Sequence, residues 1–200
     1  MDNLLNAKEF IMNAKEPGEW FRLADWLKYS AMILEDKIDN LFELHMKAVD
    51  KYGEDSDEAV DAFVHWIGVE NTFYFLMALA IENIIKGKLI EQDPDKVHFI
   101  AKIDPVSGKV LEPIKIDYSW GHNLDDLARR LCNVSKLKLN KKQEIILEHM
   151  GELIIWGGRY PAPSSFKVKS KDPFWDIASP DKSVILKLVN KLENLRIKKH

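Results

Sequence analysis

A helical period runs almost unbroken from Glu19 to Gln92, and it limits what this chain can fold into more than any other feature. From Glu19 to about Tyr52 the apolar residues, among them Leu27, Leu34, Ile38, Leu41 and Val49, fall mostly three or four apart. That is the spacing of one helical face. Gly53 closes the pattern, as a glycine just past a helix does. The stretch 53-GEDSDE-58 offers a new start, with Asp55 and Glu58 spaced as a capping box. A second helix then extends to about Gln92, with Gly68 and Gly87 as its weak points. Two helices this long, joined by a short turn, form an antiparallel hairpin. The expected class is all-α, an up-and-down helical bundle built on that hairpin.

The flanking segments are shorter. Residues 2–14 suit a short helix ended by 15-KEPG-18. After Lys96 the period changes: 97-VHFIAKI-103 and 109-KVLEPIKI-116 are β-like runs on either side of 104-DPVSG-108. They predict a small hairpin at about 96–116, inside an insertion spanning 96–120. Pro113 confines its second arm to an edge or an irregular path. Asn123, with Asp126 three residues on, marks the next helix start, and Asn140 with Gln143 marks another that runs to about Trp156. The segment 157-GGRYPAPSSF-166 has too many glycines and prolines for regular structure. With 167-KVKSKDPFW-175 it forms an irregular basic loop over 157–180. A last helix runs from Asp181 to about Lys198. No internal repeat divides the 200 residues, so a single domain is expected.

With 46% hydrophobic residues, the chain can bury a sizeable core. Its single cysteine, Cys132, excludes an intramolecular disulfide framework. The opening MDNLLNAKEF lacks the cationic and apolar regions of a secretory signal. The most apolar run, Phe73 to Ile81, is too short to span a bilayer. These features predict a cytoplasmic protein that does not enter a membrane. Charge is uneven: residues 1–100 carry 10 Lys and Arg against 20 Asp and Glu, whereas residues 101–200 carry 19 against 12. The basic C-terminal half suits an anionic partner, although long helices also carry charged faces simply to meet solvent.

One charged pair stands apart. In 77-MALAIENIIKGKLI-90 no polar residue separates Tyr74 from Glu82, so this part of the helix has no solvent stripe. A helix apolar all round is packed on all sides. Glu82 is therefore expected to be buried, and a buried carboxylate needs a partner. Lys86, one turn on, is the nearest. His122, in 121-GHNL-124, precedes a helix from which its ring can reach back to a neighbour. Arg159, in 158-GRYPAP-163, is a natural bidentate partner for Glu82 or for a phosphate, and Tyr160 lies beside it. The structural alternative is an ion pair that only fixes helix register.

These motifs together resemble the HEPN superfamily. The carriers are E-N-x-x-K at Glu82, Asn83 and Lys86, then 121-GHNL-124 and 159-RYP-161, within roughly residues 56–161. The resemblance is to a bacterial branch of that superfamily. It implies an all-α bundle, often a homodimer, working with toxin–antitoxin or phage-defence systems. It also implies metal-independent ribonuclease activity in the active members. Those members carry an arginine and a histidine separated by four to six residues, and no arginine here meets that spacing. Arg196 and His200 come nearest, with three residues between them.

Other chemistries lack their motifs. H-E-x-x-H, the P-loop, G-x-G-x-x-G and G-x-S-x-G are absent, and no Glu-x-x-His pair suggests a di-iron bundle. No metal or cofactor is expected. The leading reading is a binding module that uses Glu82, Asn83, Lys86, His122, Arg159 and Tyr160 as ligand-binding residues. Its partner would be RNA, a nucleotide or another protein. Lys136, Lys138, Lys141, Lys142, Lys167, Lys169 and Lys171 would supply its basic patch. The enzymatic alternative is a metal-independent ribonuclease with a non-standard site, in which His122 and Arg159 are the catalytic candidates.

Overall fold

The computed structural model describes residues 12–100, 115–118, 120–154 and 181–196. Two long helices dominate it. Helix α1 (Pro17–Tyr52) follows a helical turn at 12–15. Glu16 breaks between them in an extended conformation, and its carboxylate accepts the Gly18 N–H. Pro17 begins α1, where a missing N–H is no loss. At the far end Gly53 adopts φ 93°, and its N–H closes onto the Val49 carbonyl.

Helix α2 (Asp57–Gln92) starts one residue later than the Asp55–Glu58 spacing suggests. The cap is Ser56, whose Oγ accepts the Ala59 N–H at 3.2 Å. The extended backbone of Ser56 puts Asp57 and Glu58 in the first turn, where carboxylates favour the helix dipole. The hairpin is antiparallel: Trp20 lies beside Lys86 at one end, and His45 Nδ1 is 3.1 Å from the Ala59 carbonyl near the other.

A short 3₁₀ turn (Pro94–Lys96) leads into strand β1 (Val97–Ile100), which pairs antiparallel with β2 (Lys115–Tyr118). Val97 faces Tyr118 and Ile100 faces Lys115 across the ladder. The expected turn at 104–108 and Pro113 lie outside the described residues. Three shorter helices follow: α3 (Leu124–Val134), α4 (Lys141–Glu152) and α5 (Lys182–Glu193). Asn123 caps α3 through the Asp126 N–H. Asn140 and Gln143 form a reciprocal capping box on α4. Asp181 caps α5 through the Ser183 N–H, and α5 gives way to a turn at Asn194. The predicted irregular basic loop at 157–180 lies outside the described residues.

The core explains the arrangement. Helices α3, α4 and α5 all pack on α2. Of the buried residues of α2, only Ala59 precedes Glu70; the others run from Glu70 to Ile90. The all-apolar segment is thus the part that the other helices cover. Ion pairs tie α5 to α1: Lys28 meets Glu193, and Lys182 lies 3.6 Å from Asp39. Burial works against the charge on Lys28, but hydrogen bonds with Glu193 and Asp25 outweigh it and raise the pKa above its ordinary value. Among the described residues no helix is long and apolar enough to cross a membrane.

The two helical glycines differ. Gly68 has open space around it, and replacement by Ala is expected to stabilise the fold by about 1 kcal/mol through helix propensity. A Cβ at Gly87 would come 2.5 Å from the Phe21 ring. Gly87→Ala is therefore expected to destabilise by about 1–2 kcal/mol, overpacking outweighing propensity. Urea denaturation of both variants checks this. In a Phe21→Ala background Gly87→Ala should instead become stabilising; a loss there would show that the ring is not the obstacle.

Candidate functional site

The centre of the site is one oxygen atom. Glu82 Oε1 accepts from Lys86 Nζ at 2.5 Å and lies 2.8 Å from His122 Nδ1. The side chains of Glu82 and Lys86 are 6% and 3% exposed, whereas that of His122 is 53% exposed. The site therefore has a dry inner half and a wet outer half.

Each part follows from local sequence. Glu82 and Lys86 stand four apart on α2, in the order that aligns carboxylate and ammonium along the helix. Helix α2 is packed all round there, which excludes water from the pair. His122 arrives through a tight turn. Gly121 adopts φ 59°, a left-handed conformation that a side chain disfavours. Asn123 then caps α3, and Leu124 is fully buried behind it. The four residues of 121-GHNL-124 thus serve in succession as turn, contact, cap and anchor. Trp20 completes the inner wall. Its ring centroid lies 6.0 Å from Lys86 Nζ, the outer range of a cation–π contact, and its Nε1 donates to the Ala14 carbonyl.

A carboxylate accepts hydrogen bonds, so the contact with Glu82 requires the proton on Nδ1 of His122. This fixes the tautomer and leaves Nε2 as the nitrogen turned away from Glu82. An imidazole held this way by a carboxylate can accept or deliver a proton, or donate a hydrogen bond to a ligand when charged. Lys86 is too deeply buried to meet a ligand directly. Its ammonium acts on the site by holding the Glu82 carboxylate in place.

The other sequence candidates fare differently. Asn83 is buried, but its Nδ2 donates to the Leu79 carbonyl at 2.7 Å, so it serves its own helix rather than the cluster. Arg159 and Tyr160 lie outside the described residues, as do Lys167, Lys169 and Lys171. Lys136, Lys138, Lys141 and Lys142 are exposed around the start of α4. Sequence reasoning gave Trp20 and Gly121 no part in the site. The first reaches it only through helix packing, and the second shows its value only as a backbone angle. Among the described residues no three of His, Cys, Asp and Glu converge as a metal-binding set. A separate cleft of about 280 Å³ opens between α1, α2 and α5, lined by Phe21, Asp25, Lys28, Ile84, Lys88 and Glu193. It shares no residue with the cluster.

Compared with known proteins, the chain matches no family model, no curated protein and no solved structure.

The buried pair makes a sharp energetic demand. Glu82→Gln keeps the shape but leaves the Lys86 charge uncompensated, and is expected to cost about 3–5 kcal/mol. Replacing both, as Glu82→Leu with Lys86→Met, should be near neutral, because the two desolvation penalties vanish together. His122→Ala removes a half-exposed partner and should cost about 1 kcal/mol or less. Chemical denaturation of the three variants separates these outcomes. A Glu82→Gln loss no larger than that of His122→Ala would show that the pair is not desolvated.

Proposed function

We propose that this protein is a HEPN-like helical binding module whose Glu82–Lys86–His122 cluster recognises an anionic partner, with RNA as the class that fits best. The observation that carries the reading is the sharing of Glu82 Oε1 by a buried ammonium and a half-exposed imidazole. A fold gains nothing in stability from setting a charged pair in an apolar helix, when apolar residues of similar volume would serve as well. The arrangement makes sense as a means of orienting His122 toward solvent. Lys136, Lys138, Lys141 and Lys142 put exposed positive charge on the C-terminal half of the chain, of the kind phosphate binding uses.

Homodimerisation, a cytoplasmic location and service in a bacterial stress or phage-defence module belong to the same reading and rest on the family resemblance. A second copy would cover the exposed stripe of Trp26, Tyr29 and Ile33 on α1, three large apolar residues spaced along one face. Light scattering tests the dimer directly. The second reading is metal-independent RNA cleavage. It is favoured by the oriented tautomer of His122, which suits a general acid or base.

Fluorescence anisotropy with a labelled single-stranded RNA, followed by gel analysis of the same samples, distinguishes the readings. Binding is expected to weaken steeply with salt and to drop about tenfold or more when the four lysines are changed to glutamate. His122→Ala should weaken it further, and the RNA should stay intact. Cleavage that disappears in His122→Ala would replace the binding reading with the enzymatic one. Unchanged RNA affinity in both variants would sink the RNA assignment.

A further inference from the structure

The end of the α1–α2 hairpin that is far from the cluster has an unusual surface. Each helix is about 54 Å long, at 1.5 Å per residue. Between residues 39 and 69 only Ala59 is buried. An aromatic cluster holds the two helices together there: the Phe42 and Trp66 rings lie 4.9 Å apart, and His45 and Phe63 pack beside them. Trp66 Nε1 is buried within the cluster without an acceptor, so the packing is not fully satisfied.

Six large apolar side chains at this end remain 41–57% exposed, and four of them pair across the hairpin: Phe42, Met46, Val60 and Val64. Their spacing is four residues on each helix, which puts each pair on one helical face. The antiparallel register, with His45 against the Ala59 carbonyl and Phe42 against Trp66, brings both pairs to the same stretch of the hairpin. The helical phases turn both pairs to the same side of the hairpin. The four therefore lie on one side of the hairpin, and clustered exposed apolar side chains mark interaction sites. The surroundings are acidic. Residues 39–61 hold eight Asp and Glu against two Lys.

We infer that this tip is a docking surface for a cationic amphipathic helix, whose apolar face would seat on Phe42, Met46, Val60 and Val64 and whose basic flanks would meet the acidic rim. Charge chooses this occupant over a second copy of the chain. Face-to-face pairing of two tips would bring like charges together, which is costly at an interface. A helix laid into a shallow apolar groove needs only a few anchors along one face. The surface is independent of the Glu82 cluster and of its ligand.

The test uses the full chain and a labelled helical peptide of about 18 residues, with leucines on one face and lysines on the flanks. Anisotropy should show saturable binding that weakens with salt. The double variant Met46→Lys with Val64→Lys should lose about tenfold or more in affinity while keeping its helical circular dichroism. Asp57→Asn with Asp61→Asn should flatten the salt dependence without abolishing binding. A glutamate-flanked version of the peptide should not bind. Equal binding of the two peptides, or unchanged affinity in the lysine variant, would overturn the proposal. So would a fall in solution mass caused by the lysine variant, because a second copy would then be the occupant.

Discussion

An α-helix that is apolar on every side cannot be stable in water, and the stretch of α2 from Phe73 to Ile90 is such a helix apart from Glu82, Asn83, Lys86 and Lys88. Its burial sets the rest of the architecture. Helix α1 covers one face along its length, and α3, α4 and α5 pack on α2 as well. The fully buried Phe73, Met77, Ile81, Ile85 and Ile90 face an interior closed from several directions. A cover of three short helices cannot also extend along both 36-residue helices. The hairpin is therefore well packed at one end and bare at the other. That asymmetry follows from where the apolar residues lie in α2, not from any property of the turn that joins the helices.

Placing a carboxylate inside that segment changes what the segment can do. Coulomb attraction in a dry interior is strong, but it must offset the loss of hydration for both ions. The Glu82–Lys86 pair is therefore poor support for a purely stabilising role. Its useful consequence is directional. Lys86 and the surrounding apolar wall hold the carboxylate rigid, and the rigid carboxylate holds His122 in one tautomer at the edge of solvent. Stability at the inner half becomes orientation at the outer half. The left-handed turn at Gly121 is the other requirement, since without it the chain could not deliver the imidazole and still begin α3 two residues later.

Much of this was legible in the sequence, and the boundary has a physical reason. Helix ends were readable because caps are local: Gly53, Asn123 and the Asn140–Gln143 box each act within four residues. The one shift, from Asp55 to Ser56, came from two candidate caps side by side, of which only Ser56 bonds the helix N–H. The burial of Glu82 was readable because the surrounding run has no polar stripe. What periodicity could not supply was the identity of the groups that meet across helices. His122 lies 40 residues from Glu82, and Phe21 meets Gly87 across the hairpin. Gly87 reads as a weak point in a one-dimensional pattern, but in three dimensions it is a close approach.

The two ends of the hairpin also differ in what they offer a partner. At the packed end the cluster exposes a single oriented ring, with the charges behind it paired to one another. Recognition there depends on hydrogen-bond geometry and on protonation, and it tolerates little displacement. At the bare end the exposed features are apolar side chains and an excess of acids, which recognise a surface by area and sign rather than by angle. A continuous pair of helices joins the two ends, but the tip and the cluster share no residue. The Phe21–Gly87 contact and the Trp20 ring beside Lys86 are where a shift of α1 along α2 would first be felt at the cluster. Helix α3 meets the cluster through the His122 contact just before its first turn, so the imidazole is positioned from α3 and the carboxylate from α2.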